Sequence, residues 1–283
     1  MLERESSISP RFFDAVHQHL FANFLNIDAR PPILGIFGPA GEGKTFQAER
    51  SIEECQTEIM WISAGDLESD NAGQPARVIV ETLRRASDEV KSGRPTAVVL
   101  HDIDTTLGEW KDNTGTVNHQ HVLAELMHFA DRPNNVRFGG VRVPVFVTGN
   151  DATKMYEPLT RARRMSLFNW IPTENEKVAV LRSMLAPVTG EDVAAALVRS
   201  YPTFSVAFFA DLVGLAREEL ARRHRFAHIK DMRQVLNPEV RAQIALSTSR
   251  GDLLRRDELM ELANTAAQQR QNSLANFLKV APQ

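Results

Sequence analysis

The chain has 283 residues, 43% of them hydrophobic, which is enough for a buried core in one large domain or two modest ones. With 33 basic and 36 acidic residues its formal net charge is -3, so no global attraction to nucleic acid or to an anionic membrane is expected. A single cysteine, Cys55, excludes an internal disulfide, and the charged stretch Met1 to Arg11 does not read as a secretory signal; a cytoplasmic setting is the expectation. The apolar runs Ala97 to Leu100 and Val143 to Val147 fall far short of the roughly 20 residues that a bilayer span needs.

In chain order, Phe12, Val16, Leu20 and Phe24 recur at helical spacing ahead of a first strand, Ile33-Leu34-Gly35-Ile36-Phe37. That strand is apolar on both faces, as a buried parallel strand must be. Directly after it, Gly38-Pro39-Ala40-Gly41-Glu42-Gly43-Lys44-Thr45 fits the pattern G-x-x-x-x-G-K-[ST], and Phe46 to Glu53 can be helical. The glycines let backbone N–H groups converge on phosphate oxygens without Cβ clashes. Lys44 is then placed to neutralise β- and γ-phosphate charge, Thr45 to hold Mg²⁺, and the helix N-terminus running into Phe46 adds the positive end of its dipole. ATP with Mg²⁺ is the expected ligand. At average residue usage the four fixed positions arise by chance in roughly one chain in a hundred of this length, so a glycine turn with a lone surface lysine is the poorer reading.

Ile59-Met60-Trp61-Ile62 reads as a further strand, and Val78, Val80, Leu83 and Val90 as a helix leading to the strand Ala97-Val98-Val99-Leu100. His101-Asp102-Ile103-Asp104 follows and delivers acids at the carboxyl end of that strand, where α/β sheets bind ligands. A strand ending in Asp is commonplace. Downstream of a phosphate loop it is the expected Mg²⁺ and water-activating site. Val122, Leu123, Leu126 and Phe129 continue the helical pattern before Val143-Pro144-Val145-Phe146-Val147, which reads as the last strand. Thr148-Gly149-Asn150 ends it and offers an amide at the same edge.

Arg161, Arg163 and Arg164 fall between that strand and the helical remainder of the chain. A charge run is usually a solvated face. Guanidinium groups supplied in trans can instead stabilise a γ-phosphoryl transition state, worth on the order of 10³ to 10⁵ in rate, and one or two of the three are assigned that role. After Trp170-Ile171-Pro172-Thr173 strand signals stop, and Val178 to Leu185, Val193 to Val198, Phe208 to Leu220 and Leu253 to Leu278 all carry helical spacing. The expected architecture is a three-layer α/β P-loop domain over residues 1–170 and a small all-helical lid domain over 171–283. His119, His121 and His128 share one predicted helix without Cys or acidic partners at ligand spacing, so packing or surface roles outweigh zinc. Met60, Trp61, Met127 and Trp170 read as core, Cys55 as inert, and Arg222-Arg223-His224-Arg225 as a solvated face rather than a nucleic-acid contact.

Phosphate loop, acidic strand end, Asn150, arginines and helical lid together resemble an AAA+ module, and whole phrases are similar to plant-type (green-type) Rubisco activase. These are Pro32 to Gly38, Ser63-Ala64-Gly65-Asp66-Leu67-Glu68-Ser69 with Asn71-Ala72-Gly73, Thr116-Val117-Asn118, and Val147-Thr148-Gly149-Asn150-Asp151. Tyr156, Pro158-Leu159, Arg161, Arg164-Met165, Phe168, Trp170 and Pro172-Thr173 continue the likeness, which covers about Ile8 to Leu220. The resemblance implies a homo-oligomeric ring, hexameric in form, that hydrolyses ATP to remodel a protein client in its pore, with the Rubisco large subunit as that client. It places Lys44 and Thr45 on nucleotide and Mg²⁺, with Asp102 or Asp104 joining Thr45 at the metal, Asp102 as catalytic acid, Asn150 as first sensor, Arg161 and Arg164 as trans arginines, and Asp66 to Gly73 and Thr105 to Gly115 as pore loops. The chain departs from the family at His101, where an Asn is usual, at Val213, where a second-sensor Arg is usual and Arg217 is the nearest substitute, and at Gly115, which leaves Trp110 as the only aromatic in its loop. The family's N-terminal domain is expected to be missing. A remodeller of a different complex, or a nucleotide-switched adaptor with little turnover, remain the alternatives.

Overall fold

The computed structural model describes residues 8–67, 73–103, 117–223, 231–240, 242 and 253–280. These separate into two compact units, one from Ile8 to Ile171 and one from Pro172 onward.

In the first unit five parallel strands run β1 (Ile33–Phe37), β2 (Glu58–Ile62), β3 (Thr96–Leu100), β4 (Val145–Gly149) and β5 (Met165–Asn169) along the chain. They lie in the order β2-β3-β4-β1-β5 in the sheet. Helices α1 (Pro10–Phe24), α2 (Lys44–Glu54), α3 (Ala64–Leu67), α4 (Gln74–Lys91) and α5 (Val117–Asp131) connect and cover the strands. The period-2 alternation of the central strands sorts their side chains into two cores. Ile33, Val98, Leu100, Val145 and Val147 face Ile79, Leu83, Val122, Leu126 and Phe129 of α4 and α5. Leu34, Ile36, Ala97, Val99 and Phe146 face Phe12, Val16 and Leu20 of α1 with Ala48 and Ile52 of α2. The result is the three-layer α/β arrangement expected.

Two details differ from expectation, both for reasons of strand position. All five residues of β4 are buried, and the strand starts at Val145 rather than Val143, because Pro144 has no N–H to give to the ladder. Its carbonyl instead accepts from Val98 N, and Val145 N donates to Pro32 O. More importantly, β4 is not the last strand. β5 pairs with β1 in register, Ile33 opposite Met165 and Phe37 opposite Asn169. As an edge strand half open to solvent, with Leu167 exposed, it lacks the unbroken apolar run that marks β1, β3 and β4. Arg161, Arg163 and Arg164 therefore sit on the β4–β5 connection, ahead of the last strand.

The second unit is helical, with α6 (Glu174–Leu185), α7 (Ala194–Ser200), α8 (Val206–Arg223) and α9 (Arg256–Val280), besides a one-turn helix at Met232–Val235. A capping box starts α6: Thr173 Oγ1 accepts from Glu176 N at 3.3 Å and Thr173 N donates to Glu176 Oε2 at 2.8 Å. Leu181, Leu185, Leu197, Phe208, Phe209, Leu212, Leu220 and Leu259 form its core. Val213 lies in that core, which explains an apolar residue there, while Arg217 is exposed on the same helix.

Candidate functional site

Parallel strands open their carboxyl ends on one edge of the sheet, and the ends of β1, β3 and β4, adjacent in the order β3-β4-β1, bring three chain segments together there. The first is the loop 38–45. Its path is set from below by Trp170, the residue after β5, which is fully buried. Trp170 N donates to Phe37 O, and its indole Nε1 donates to Glu42 O at 2.8 Å. A Cβ on Gly38 would lie 1.9 Å from the Trp170 carbonyl oxygen, so only glycine lets the loop pass over this residue. Gly43 takes φ +75° as the N-cap of α2, an arrangement that turns the first backbone N–H groups of the helix toward the loop.

Lys44 opens α2 and is buried, with Nζ donating to Gly38 O at 2.8 Å, Pro39 O at 2.9 Å and Asn150 Oδ1 at 3.0 Å. The last of these joins the phosphate loop to the residue immediately after β4, so Lys44 and Asn150, distant in sequence, occupy one place. Asp102 follows β3 with φ +46°, a left-handed conformation uncommon outside glycine, and Asp102 N donates to Thr148 Oγ1 at 3.3 Å. Asp102 is an exposed residue. Asp104 and the Thr105 to Gly115 segment lie outside the described residues, as does the greater part of Asp66 to Gly73.

His101 is the contact that sequence reasoning did not foresee. Its ring stacks on Trp61 of β2 with centroids 4.5 Å apart at 16°, and its Nδ1 is 3.5 Å from Thr45 Oγ1. Partial burial lowers its pKa, an effect that the nearby Asp102 and Glu49 oppose, so the ring is held toward its neutral form.

The three arginines separate. Arg164 Nε and Nη2 bind both oxygens of Asp131 at 2.7 Å, and Nη1 donates to Pro158 O at 2.8 Å. The hydrogen bonds from Arg164 hold the Asp131 carboxyl below its ordinary pKa. Arg161 instead has a side chain 62% exposed, with only a 3.5 Å approach to Glu157, and Arg163 is exposed. The partner that claims Arg164 comes from α5 and carried no signal in the sequence.

A polyphosphate fits this donor set: a glycine cradle, a helix N-terminus, a buried ammonium, and a hydroxyl beside a carboxylate-bearing strand end. Fold and site are those of a P-loop nucleotide-binding domain, and the model of the ATPase family associated with various cellular activities (AAA) matches residues 34–173. Among curated proteins the chain is similar to ribulose bisphosphate carboxylase/oxygenase activases. It is 40% identical over 228 residues to that of Anabaena sp. strain CA, covering 76% of this chain and 55% of the relative. Against the chloroplastic activases of Oryza sativa subsp. japonica and Malus domestica identity is 37% over 228 residues, again 76% of this chain, and 49% and 52% of those relatives. The chain thus spans about half the length of the curated relatives it matches. No helix among the described residues is long and apolar enough to cross a membrane.

Proposed function

We propose that this chain binds ATP with Mg²⁺ in the 38–45 cradle and couples its hydrolysis to remodelling of a protein client, as a subunit of a homo-oligomeric ring working in the cytoplasm. The observation that carries the reading is the buried Lys44 ammonium, held at the junction of the phosphate loop and Asn150 by oxygens that a nucleotide's phosphates can replace.

In this reading Gly38 to Phe46 wrap the phosphates, Lys44 balances β- and γ-phosphate charge, and Thr45 holds the metal together with Asp102 or Asp104. Bound Mg²⁺ supplies charge neutralisation across the β- and γ-phosphates. Asp102 orients the attacking water and accepts its proton, and Asn150 holds the amide end of the site against Lys44. Arg161, exposed where Arg164 is engaged by Asp131, is the better placed of the two to reach a neighbouring subunit. The name of the relatives supports Rubisco as the client. The paired acidic strand end and exposed arginine favour turnover over a silent switch.

Asp102→Asn should bind ATP with near wild-type affinity and stall, read by nucleotide binding and phosphate release on the same preparation; wild-type turnover in that variant moves the role to Asp104. With purified wild-type protein and ATP, Rubisco of the same organism inhibited by a sugar phosphate should regain activity. Hydrolysis without reactivation or stimulation by Rubisco assigns the remodelling to another client. Mixing Arg161→Ala subunits with Lys44→Ala subunits should restore part of the turnover that each lacks alone. Mixed assemblies that stay inactive would remove the trans role from Arg161.

A further inference from the structure

We propose that His101 is a nitrogen donor to the divalent cation of the nucleotide site, so that this site favours Co²⁺ and Mn²⁺ over Mg²⁺ more strongly than an all-oxygen site does. The inference rests on the nucleotide reading above and names the metal preference of that same site.

Three contacts fix the imidazole. Its backbone N–H donates to Ile62 O at 3.3 Å, which extends the β2–β3 pairing by one step beyond Ile62 and Leu100. The face-to-face stack on Trp61 sets the ring plane. The remaining choice is a half-turn about the Cβ–Cγ bond, and the orientation adopted places Nδ1, rather than Cδ2, 3.5 Å from the hydroxyl oxygen of Thr45. Two ligands each about 2.1 Å from a shared octahedral ion sit about 3.0 Å apart at adjacent vertices. Half an ångström of closure therefore turns the Thr45–His101 pair into adjacent ligands.

At a nucleotide site the phosphate oxygens supply part of the cation's coordination. That is the usual arrangement for Mg²⁺, which takes one or two protein groups with substrate oxygens. In such a sparse protein shell, one imidazole among oxygens changes the donor set by a large fraction. Imidazole nitrogen raises affinity along the series Mn²⁺ to Co²⁺ and beyond, whereas Mg²⁺ selects oxygen. If His101 served packing alone, the stack on Trp61 would be retained and no nitrogen would reach the ion.

The test uses the full chain with histidine labelled with ¹⁵N, Mn²⁺ as the probe, and the β,γ-methylene analogue of ATP, which brings no bridging nitrogen. Electron spin-echo modulation should show a directly bound ¹⁵N in the wild type and none in His101→Asn. Displacement of Mn²⁺ by Co²⁺ and by Mg²⁺ should show the Co²⁺ advantage falling several-fold in His101→Asn, with its melting curve confirming that it is folded. Bound Mn²⁺ and nucleotide without a histidine coupling, or an unchanged metal ranking in the variant, overturns the proposal. Analogue binding with saturating Mg²⁺ reads the cradle apart from any histidine ligation. Its absence overturns the nucleotide reading and the metal inference with it, whereas its presence without ¹⁵N coupling overturns the metal inference alone.

Discussion

Two buried cations in the α/β unit are held in nearly the same way at opposite ends of the sheet. Lys44, at the carboxyl ends of β1 and β4, donates to the carbonyls of Gly38 and Pro39 and to Asn150 Oδ1. Arg142, just before the amino end of β4, donates to the carbonyls of Ile27 and Arg30 and to Asn23 Oδ1. Each is thus bound by two backbone carbonyls and one asparagine. The difference lies in what the side chain can do next. A guanidinium is a rigid planar fork, and Arg142 uses it to stitch the α1–β1 connection to the segment entering β4. An ammonium is a point charge on a flexible stem, and Lys44 can exchange carbonyl oxygens for phosphate oxygens without losing its anchorage to α2. One end of the sheet is built to stay as it is, and the other to be re-aimed.

The sharpest test of that contrast is a pair of truncations. Lys44→Ala should abolish ATP binding while shifting the unfolding midpoint less than the loss of Arg142 does, because two of its three acceptors, Gly38 O and Pro39 O, lie within its own loop. Arg142→Ala should leave ATP binding intact in the folded protein and cost on the order of 3 kcal/mol in urea unfolding, since the buried Asn23 loses its donor and all three acceptors, Asn23, Ile27 and Arg30, lie far from Arg142 in sequence, so the tie between those segments goes with it. Equal stability losses in both variants would break the comparison.

The Arg142 end also carries a pH signature. His19 is buried beside Phe146, with Nε2 3.1 Å from Val145 O, and burial, with the Arg142 charge adding to it, lowers its pKa from 6.5 to about 3. Because the folded pKa lies below the unfolded one, the unfolded chain takes up a proton first as pH falls. Stability is complete above about pH 6.5 and declines below it toward pH 3. Between about pH 6.5 and 4.5, above the carboxylate range, the loss should be roughly 2 to 3 kcal/mol. His19→Gln should flatten this limb in urea denaturation measured against pH. A limb unchanged by that substitution would assign the titration elsewhere.

A smaller effect separates the two ends at Trp170. Trp170→Phe keeps the ring against Phe12, whose centroid is 4.9 Å away, but removes the indole donor to Glu42 O. The expected cost is about 1 kcal/mol of stability, with a several-fold weakening of ATP binding measured by titration and no change in the His19 limb. Unchanged nucleotide affinity would show that the loop holds its shape without the indole.

What was legible in the sequence was local. The phosphate loop occupies consecutive residues, and β1, β3 and β4 announce themselves because a strand covered on both faces must be apolar throughout, so the cradle and the strand end at Asp102 follow from short windows. The edge strand β5 did not announce itself, because Met165-Ser166-Leu167-Phe168-Asn169 has one side open to solvent and mixes polar with apolar residues. Misplacing it also misplaced the arginines and concealed that Trp170 lies under the loop. Tertiary structure alone decided which partners the polar side chains found: Asp131 for Arg164, Asn150 for Lys44, Thr45 and Trp61 for His101, and Asn23 with two loop carbonyls for Arg142. Each pairing depends on where the sheet order β2-β3-β4-β1-β5 brings separate strand ends, and a hydrogen bond between such ends leaves no spacing or composition signal in either segment.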